Sequence, residues 1–356
     1  MRSNDLIVAL FLVLMLSIMV GPASAADPVA EKIVWKRADF SAPSSRAVQM
    51  CDWFFQEISK RSGGRFVDQP YYNATLSPAD QQPDALRNGL CQSTTWFASY
   101  YPAKAPLYNI ASLPSLFPLT GERKAEYATF FAIMNEWVAT PLISNEFKKW
   151  DAMPVGNIQA IHYALMGKSK IIGVKDLRGK KIRAVGGSAD VLKGAGAVPV
   201  NVQVTEIYDA LSKGVIQDIC WSWRGFWPYK LYEVSSYYVS NLNLGHIPFE
   251  LVVKKSAYDA LPEDIKKIFQ EVAREFPAYV SEQQEVDFKQ ALDVFRKANI
   301  EELNFLDNSE LTDISHEIWK ANIDKTEKRG INGKKAFNSL QTIMQRHISN
   351  YKPYGL

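Results

Sequence analysis

Between Asp176 and Trp227 short apolar runs alternate with stretches of helical spacing. Ile182–Val185 (IRAV) is apolar apart from Arg183, Pro199–Val204 (PVNVQV) alternates, and Gly214–Trp221 (GVIQDICW) reads as a buried strand. Gly186 and Gly187 break the first run, Ser188 is placed to cap a helix through about Gly194, and Thr205 opens another at Glu206–Leu211. Strands alternating with helices predict a parallel α/β sheet. Ligands of such sheets sit at the carboxyl ends of the strands. Arg183 lies on the first of these strands, and Trp221, Trp223, Phe226 and Trp227 cluster at the end of the third. One fixed cation facing several rings suits an organic anion.

The rest of the chain fits the same class. Strands are predicted over Glu31–Arg37, Arg65–Tyr72 and Gly89–Phe97, with helices from Ser44 or Ser45 through Ile58 and from about Pro78 to Asn88. Tyr100–Leu119 is irregular, and a long helix is predicted from Glu122 to Asn145, with Pro141 near its end. Trp150–Met166 contains a strand (Asn157–Met166) and opens a second lobe. A helix is expected from Trp227 to about Tyr237, then a crossing segment over Ser240–His246. The strand Phe249–Val253 returns to the first lobe. A helical pattern then runs from Leu261 to roughly Ala298, about 50 Å at 1.5 Å per residue, enough to lie across both lobes. Helices at Ser309–Lys328 and Gly333–Tyr351 complete the chain.

The amino terminus supplies an address. Arg2, an apolar run over Leu6–Val20 and the small residues Ala23-Ser24-Ala25 predict a cleaved signal peptide over residues 1–25, and hence export to the periplasm. No direct membrane insertion is expected after cleavage. The net charge of +3, with both signs dispersed, argues against a nucleic-acid partner. An oxidising compartment permits a Cys51–Cys91 disulfide with Cys220 left over; three buried thiols fit the sequence as well. No Cys/His spacing indicates a metal, no cofactor motif stands out, and neither G-x-S-x-G nor HExxH is present, so an enzyme is not expected.

Several motifs in fixed order resemble one family. They are DLRGKKIR (Asp176–Arg183), GAGAVPV (Gly194–Val200), TEIYDAL (Thr205–Leu211), GVI (Gly214–Ile216), KLYEVSSYYV (Lys230–Val239) and AYDALPEDIKKIF (Ala257–Phe269). The set is similar to the extracytoplasmic solute-binding subunit of tripartite ATP-independent periplasmic (TRAP) transporters. SGGRF, LRNG and LPSLFP extend the likeness more loosely into the first lobe. The resemblance implies a two-lobed periplasmic-binding-protein architecture of α/β class, with hinge strands and a long C-terminal helix bridging both lobes. On this frame lobe 1 comprises residues 26–155 plus about 247–285, lobe 2 about 156–246, and the helices of 286–356 pack across the two. The partners it implies are a small-molecule organic acid and membrane transporter subunits.

The family's hallmark arginine, which pairs with an organic carboxylate, falls on Arg183. Around it the chain departs from the family's polar pattern. Trp221 stands where many members carry a polar contact, Tyr163 (beside His162) stands near a second arginine of some members, and Trp96 and Phe97 occupy a strand end that often presents polar groups. The expectation is a carboxylate with an aromatic or apolar body, stacked by Trp96 and Trp221. Trp223 and Arg224 are weaker candidates, and Asp39 and Phe40 are placed to line the mouth. Two alternatives use the same residues: a zwitterion whose cation sits in an aromatic cage, and a sensor that presents its closed form to a receptor.

Overall fold

In the computed structural model the described residues are 31–118, 123–159, 163–239 and 241–355. The predicted signal peptide and His162 lie outside them. Two sheets organise the chain. The first contains β1 (Ile33–Ala38), β2 (Phe66–Tyr71), β3 (Ser93–Trp96), β4 (Ala152–Gln159) and β10 (Phe249–Lys254), in the order β2-β1-β3-β10-β4. The second contains β5 (Tyr163–Gly167), β6 (Lys181–Arg183), β7 (Val198–Val200), β8 (Asp218–Ser222), β9 (Tyr237–Val239) and β11 (Glu301–Leu303), in the order β11-β9-β5-β8-β6-β7. Helices of eight residues or more are α1 (Arg46–Arg61), α2 (Arg123–Ala139), α3 (Pro141–Lys148), α4 (Gly186–Gly194), α5 (Glu263–Lys297), α6 (Ser309–Lys328) and α7 (Gly333–His347).

Both sheets are mixed rather than wholly parallel. β10 runs antiparallel to β3 and β4, and β5 runs antiparallel to β8 and β9. Those are the strands by which the chain passes between sheets, and a strand entering from the other lobe arrives in the opposite sense. The single strand predicted over Asn157–Met166 is in fact two: β4 stays in the first sheet through Gln159, and β5 begins the second at Tyr163. The long helix predicted over Glu122–Asn145 is also two. Pro141 opens α3 at its first turn, where its missing N–H costs nothing and its ring would block continuation of α2. Ser188 lies inside the first turn of α4, its hydroxyl donating to the Val185 carbonyl at 2.7 Å, so it does not cap that helix. The helix expected after Trp227 is replaced by short turns and β9. Cys51, Cys91 and Cys220 are three free, buried thiols.

The 35-residue α5 holds the two halves together. Its buried positions (Ile265, Phe269, Val272, Phe276, Val280, Gln284, Asp287, Ala291 and Phe295) recur every three or four residues, one stripe from end to end. Early in the helix the stripe packs on the first sheet's core, with Phe269 and Phe276 edge-on to Phe54 at 5.0 and 5.1 Å. Late in the helix it packs on the second, with Phe288 against Trp223 at 5.3 Å and Phe295 against Tyr238 at 5.2 Å.

Asp287 marks the crossing. Its Oδ1 meets Arg46 Nε of α1 at 2.6 Å, and its Oδ2 meets Arg224 Nε, just beyond β8, at 2.7 Å. Arg224 also donates to the Ile158 carbonyl at 2.8 Å and the Arg46 carbonyl at 3.2 Å. Arg224 is thus occupied in tying the two halves together and does not reach the cleft, which corrects its placement as a candidate ligand contact. Burial lowers the Arg224 pKa, against the pull of Asp287. Two guanidinium groups share this one buried carboxylate, so its removal leaves charge without a partner. Asp287→Ala is expected to destabilise the protein by about 3–5 kcal/mol in denaturant unfolding. A loss under about 1 kcal/mol would mean that the bridge behaves like an exposed ion pair.

A second buried acid lies on β10. Glu250 accepts from the Tyr108 hydroxyl at 3.0 Å and from the Asn157 amide, and burial pushes it up to about 8. The folded protein therefore keeps this proton up to about pH 8, whereas the unfolded chain releases it near 4.5. This group's contribution to stability falls as pH rises across that window. Melting temperature plotted against pH is expected to fall less steeply for Glu250→Gln than for the parent. Identical slopes would mean that Glu250 is ionised throughout.

Candidate ligand-binding site

Arg183 ends β6, and its register partner on β8 is Ile219. Trp221 lies two residues further along β8, on the same face, so alternation alone brings the two side chains together. The guanidinium carbon stands 5.3 Å from the centre of the indole. The ring is close to the backbone of Gly225, where a Cβ would overlap it. On its other side Trp221 packs against Tyr229, ring centres 5.2 Å apart. The Tyr229 hydroxyl accepts from the backbone N–H of Ala42, at 3.3 Å, in the loop after β1.

Arg183 is 1 % exposed, and its hydrogen bonds are unevenly distributed. Nε donates to the Val202 carbonyl at 3.3 Å, and Nη2 donates to the Tyr100 hydroxyl at 3.2 Å. Nη1 is buried and has no hydrogen-bond partner among the described residues. A guanidinium offers a side edge (Nε with one Nη) and an end edge (the two Nη groups). The protein occupies the side edge, leaving the end edge, with the geometry of a carboxylate, available.

The facing wall comes from the first sheet. Phe40 stacks on Phe249 at 5.5 Å and meets Tyr100 edge-on at 5.4 Å; Phe97 packs against Tyr100 at 5.0 Å and Phe249 at 5.2 Å. Tyr163 is buried beside the guanidinium. Burial raises its phenol pKa well above the ordinary value, against the pull of Arg183 and a hydrogen bond from Gln159.

Of the residues anticipated from sequence, Arg183, Trp221, Tyr163, Phe40 and Phe97 come together here. Trp96 does not. It is fully buried, edge-on to Tyr101 at 5.3 Å and against Phe147 of α3 at 5.2 Å, because neighbouring residues leave a strand on opposite faces and Phe97 takes the cleft side. Trp223 is likewise core, packed on Tyr238, Phe288 and Phe295 under α5. The aromatic cage loses both indoles as walls. Asp39 turns inward, at ion-pairing distance from Arg37 (2.9 Å), which also pairs with Asp52 and Asp68. Burial pushes Asp39 up to about 6, against the pull of Arg37. It supports the Phe40 loop and does not line the mouth. Tyr100, Tyr229, Phe249 and the Val202 carbonyl belong to the site without having been anticipated. Tyr100 and Tyr229 sit in irregular segments with no period to mark their facing, and Phe249 carries only the signal of a strand's first residue.

The model of the DctP family, bacterial extracellular solute-binding protein family 7, matches residues 38–326. The chain belongs to this family. Its members are solute-binding receptors of TRAP transporters rather than enzymes. A solute-binding protein of Albidiferax ferrireducens is 26% identical over 261 residues, 72% of this chain and 74% of the relative. Among solved structures, a marine metagenome TRAP solute-binding protein specific for aromatic acid ligands, in complex with metahydroxyphenylacetate, superposes with a TM-score of 0.78 at 20% identity, covering 89% of this chain and 99% of that one. DctP7 of Bordetella pertussis, an extracytoplasmic solute receptor binding pyroglutamic acid, gives 0.74 at 19% identity, covering 86% and 99%. These likenesses bear on the fold: two lobes, mixed α/β, with a long helix across them. The family is extracytoplasmic, and among the described residues no helix is long and apolar enough to cross a membrane.

The close approach at Gly225 yields a test within the TRAP fold. Gly225→Ala is expected to displace the Trp221 ring and cost about 1–3 kcal/mol. Unchanged tryptophan fluorescence and stability would mean that the indole does not rest on that backbone.

Proposed function

We propose that the cleft binds a monocarboxylate with an aromatic or compact apolar body, with high affinity, and that the protein, exported by its amino-terminal signal, delivers this ligand to TRAP-type membrane subunits. The observation that carries the reading is the free end edge of one buried guanidinium among rings. Arg183 is the only cation we assign to the anion; Arg46 and Arg224 are engaged by Asp287. Among the described residues of this arrangement a second ligand carboxylate would meet no further cation, whereas Trp221, Phe40 and Phe97 offer apolar faces. Tyr163 and Tyr229 add hydroxyls at the margin. The metagenome neighbour's aromatic acid agrees with these walls, and the pyroglutamic acid of the Bordetella receptor agrees with a single anionic clamp.

Closure of the two lobes would exclude water from the ion pair and strengthen it. Arg183→Ala is expected to weaken calorimetric binding of a preferred acid by about 2–5 kcal/mol, because a buried carboxylate loses its partner. Trp221→Ala should weaken benzoate and phenylacetate more than lactate. Parental affinity in the Arg183 variant would overturn the carboxylate assignment; equal losses in the Trp221 variant would return the indole to a purely structural role. Stabilisation of the parent by pyroglutamate and lactate, but by no aromatic acid, would replace the aromatic body with a small polar one.

A further inference from the structure

The hydroxyl of Tyr100 is held in an unusual position. It belongs to a short turn just after β3, on the first sheet's side of the cleft, yet it accepts a hydrogen bond from Arg183 Nη2 of the second sheet at 3.2 Å, across 83 residues of sequence. An arginine has donors and no acceptors, so in this bond the phenol oxygen can only accept. Its own proton is therefore directed elsewhere, and no acceptor for it is present among the described residues. The ring cannot swing to find one: it is wedged edge-on to Phe40 at 5.4 Å and against Phe97 at 5.0 Å. The side chain is half-buried, and the guanidinium it bonds carries the unpartnered, buried Nη1.

We propose that Tyr100 is a specificity-determining residue: its hydroxyl donates to the bound anion alongside the end edge of Arg183, and so makes the cleft demand an ionised carboxylate. The proposal rests on the carboxylate reading of Arg183 given above. Its chemistry is one of donors only. A carboxylate has lone pairs enough for the guanidinium and the phenol together. A primary amide of the same shape has one acceptor oxygen and must turn its NH2 group toward one of these donors, leaving a buried donor unsatisfied. A hydroxyl at this place therefore separates acids from their isosteric amides. Because it comes from the opposite wall, the anion also completes a contact between the two halves of the protein.

The test is calorimetric titration of the parent, Tyr100→Phe and Arg183→Ala with benzoate, phenylacetate and benzamide, with melting temperatures of the unliganded proteins as a control on folding. Phenylalanine keeps the ring contacts, so the unliganded Tyr100→Phe protein is expected to melt with the parent. Its affinity for the acids should fall about tenfold or more, the size of one hydrogen bond to a charged group. Benzamide binding should change little, so the acid-to-amide preference narrows. An unchanged affinity for the acids, or equal losses for acid and amide, would overturn the role of Tyr100 while leaving Arg183 intact, provided that Arg183→Ala still loses acid binding. If the parent binds pyroglutamate or lactate but neither aromatic acid, the same comparison is made with that acid and its amide; if it binds none of the four acids, the carboxylate reading falls and the Tyr100 proposal falls with it.

Discussion

Asp287 lies where a single helix leaves one hydrophobic core and enters another, and its two oxygens are divided between arginines from the two sides. Much else follows from this bridge. Helix α5 could not bury one continuous stripe unless the two sheets were held in register along it, and the rings on either side of Asp287 belong to different cores. The relative position of the sheets in turn sets the distance between Arg183 and Tyr100. A buried carboxylate flanked by two cations is a poor source of net stability. It is a good means of fixing the point at which the two halves meet on α5, because pulling them apart there strands a guanidinium without its partner, whereas a rotation about that point does not.

The cleft divides its polarity sharply. Its fixed charge is one guanidinium, whose neutral partners are a carbonyl and a phenol. Other buried charges are neutralised locally: Arg37 sits among Asp39, Asp52 and Asp68, and burial pushes Asp68 up to about 7. The acids that crowd Arg37 are thus kept from competing for Arg183, and the walls that remain are rings. Such a cleft selects a ligand by one anionic end and by shape, rather than by a dense pattern of hydrogen bonds.

Features with a strong period are legible in the sequence. The α5 stripe repeats over 35 residues, β6 and β8 are short apolar runs bounded by turns, and Arg183 and Trp221 meet because two parallel strands share a register. What is not legible has physical causes as well. Pro141 reads as a helix end but is a helix start. Trp96 and Phe97 are adjacent rings, and only the facing of β3 decides that one is core and the other cleft. Arg224 has the same chemistry as Arg183, but its partner Asp287 is 63 residues away and on another element. Tyr100 lies in a turn whose path is set by tertiary packing, so no local pattern announces it.

The bridge at Asp287 also bears on the order in which the chain assembles. Arg46 and Asp287 are 241 residues apart. Contacts of such separation form late, because the entropy of closing so long a loop must be met before the contact is made. Each sheet can gather its own neighbours earlier, but α5 has no complete surface to lie on until both cores exist. The last quarter of the chain therefore acts as a fastening added after the parts, and a chain interrupted before Glu263 would have two half-covered cores without the helix that spans them.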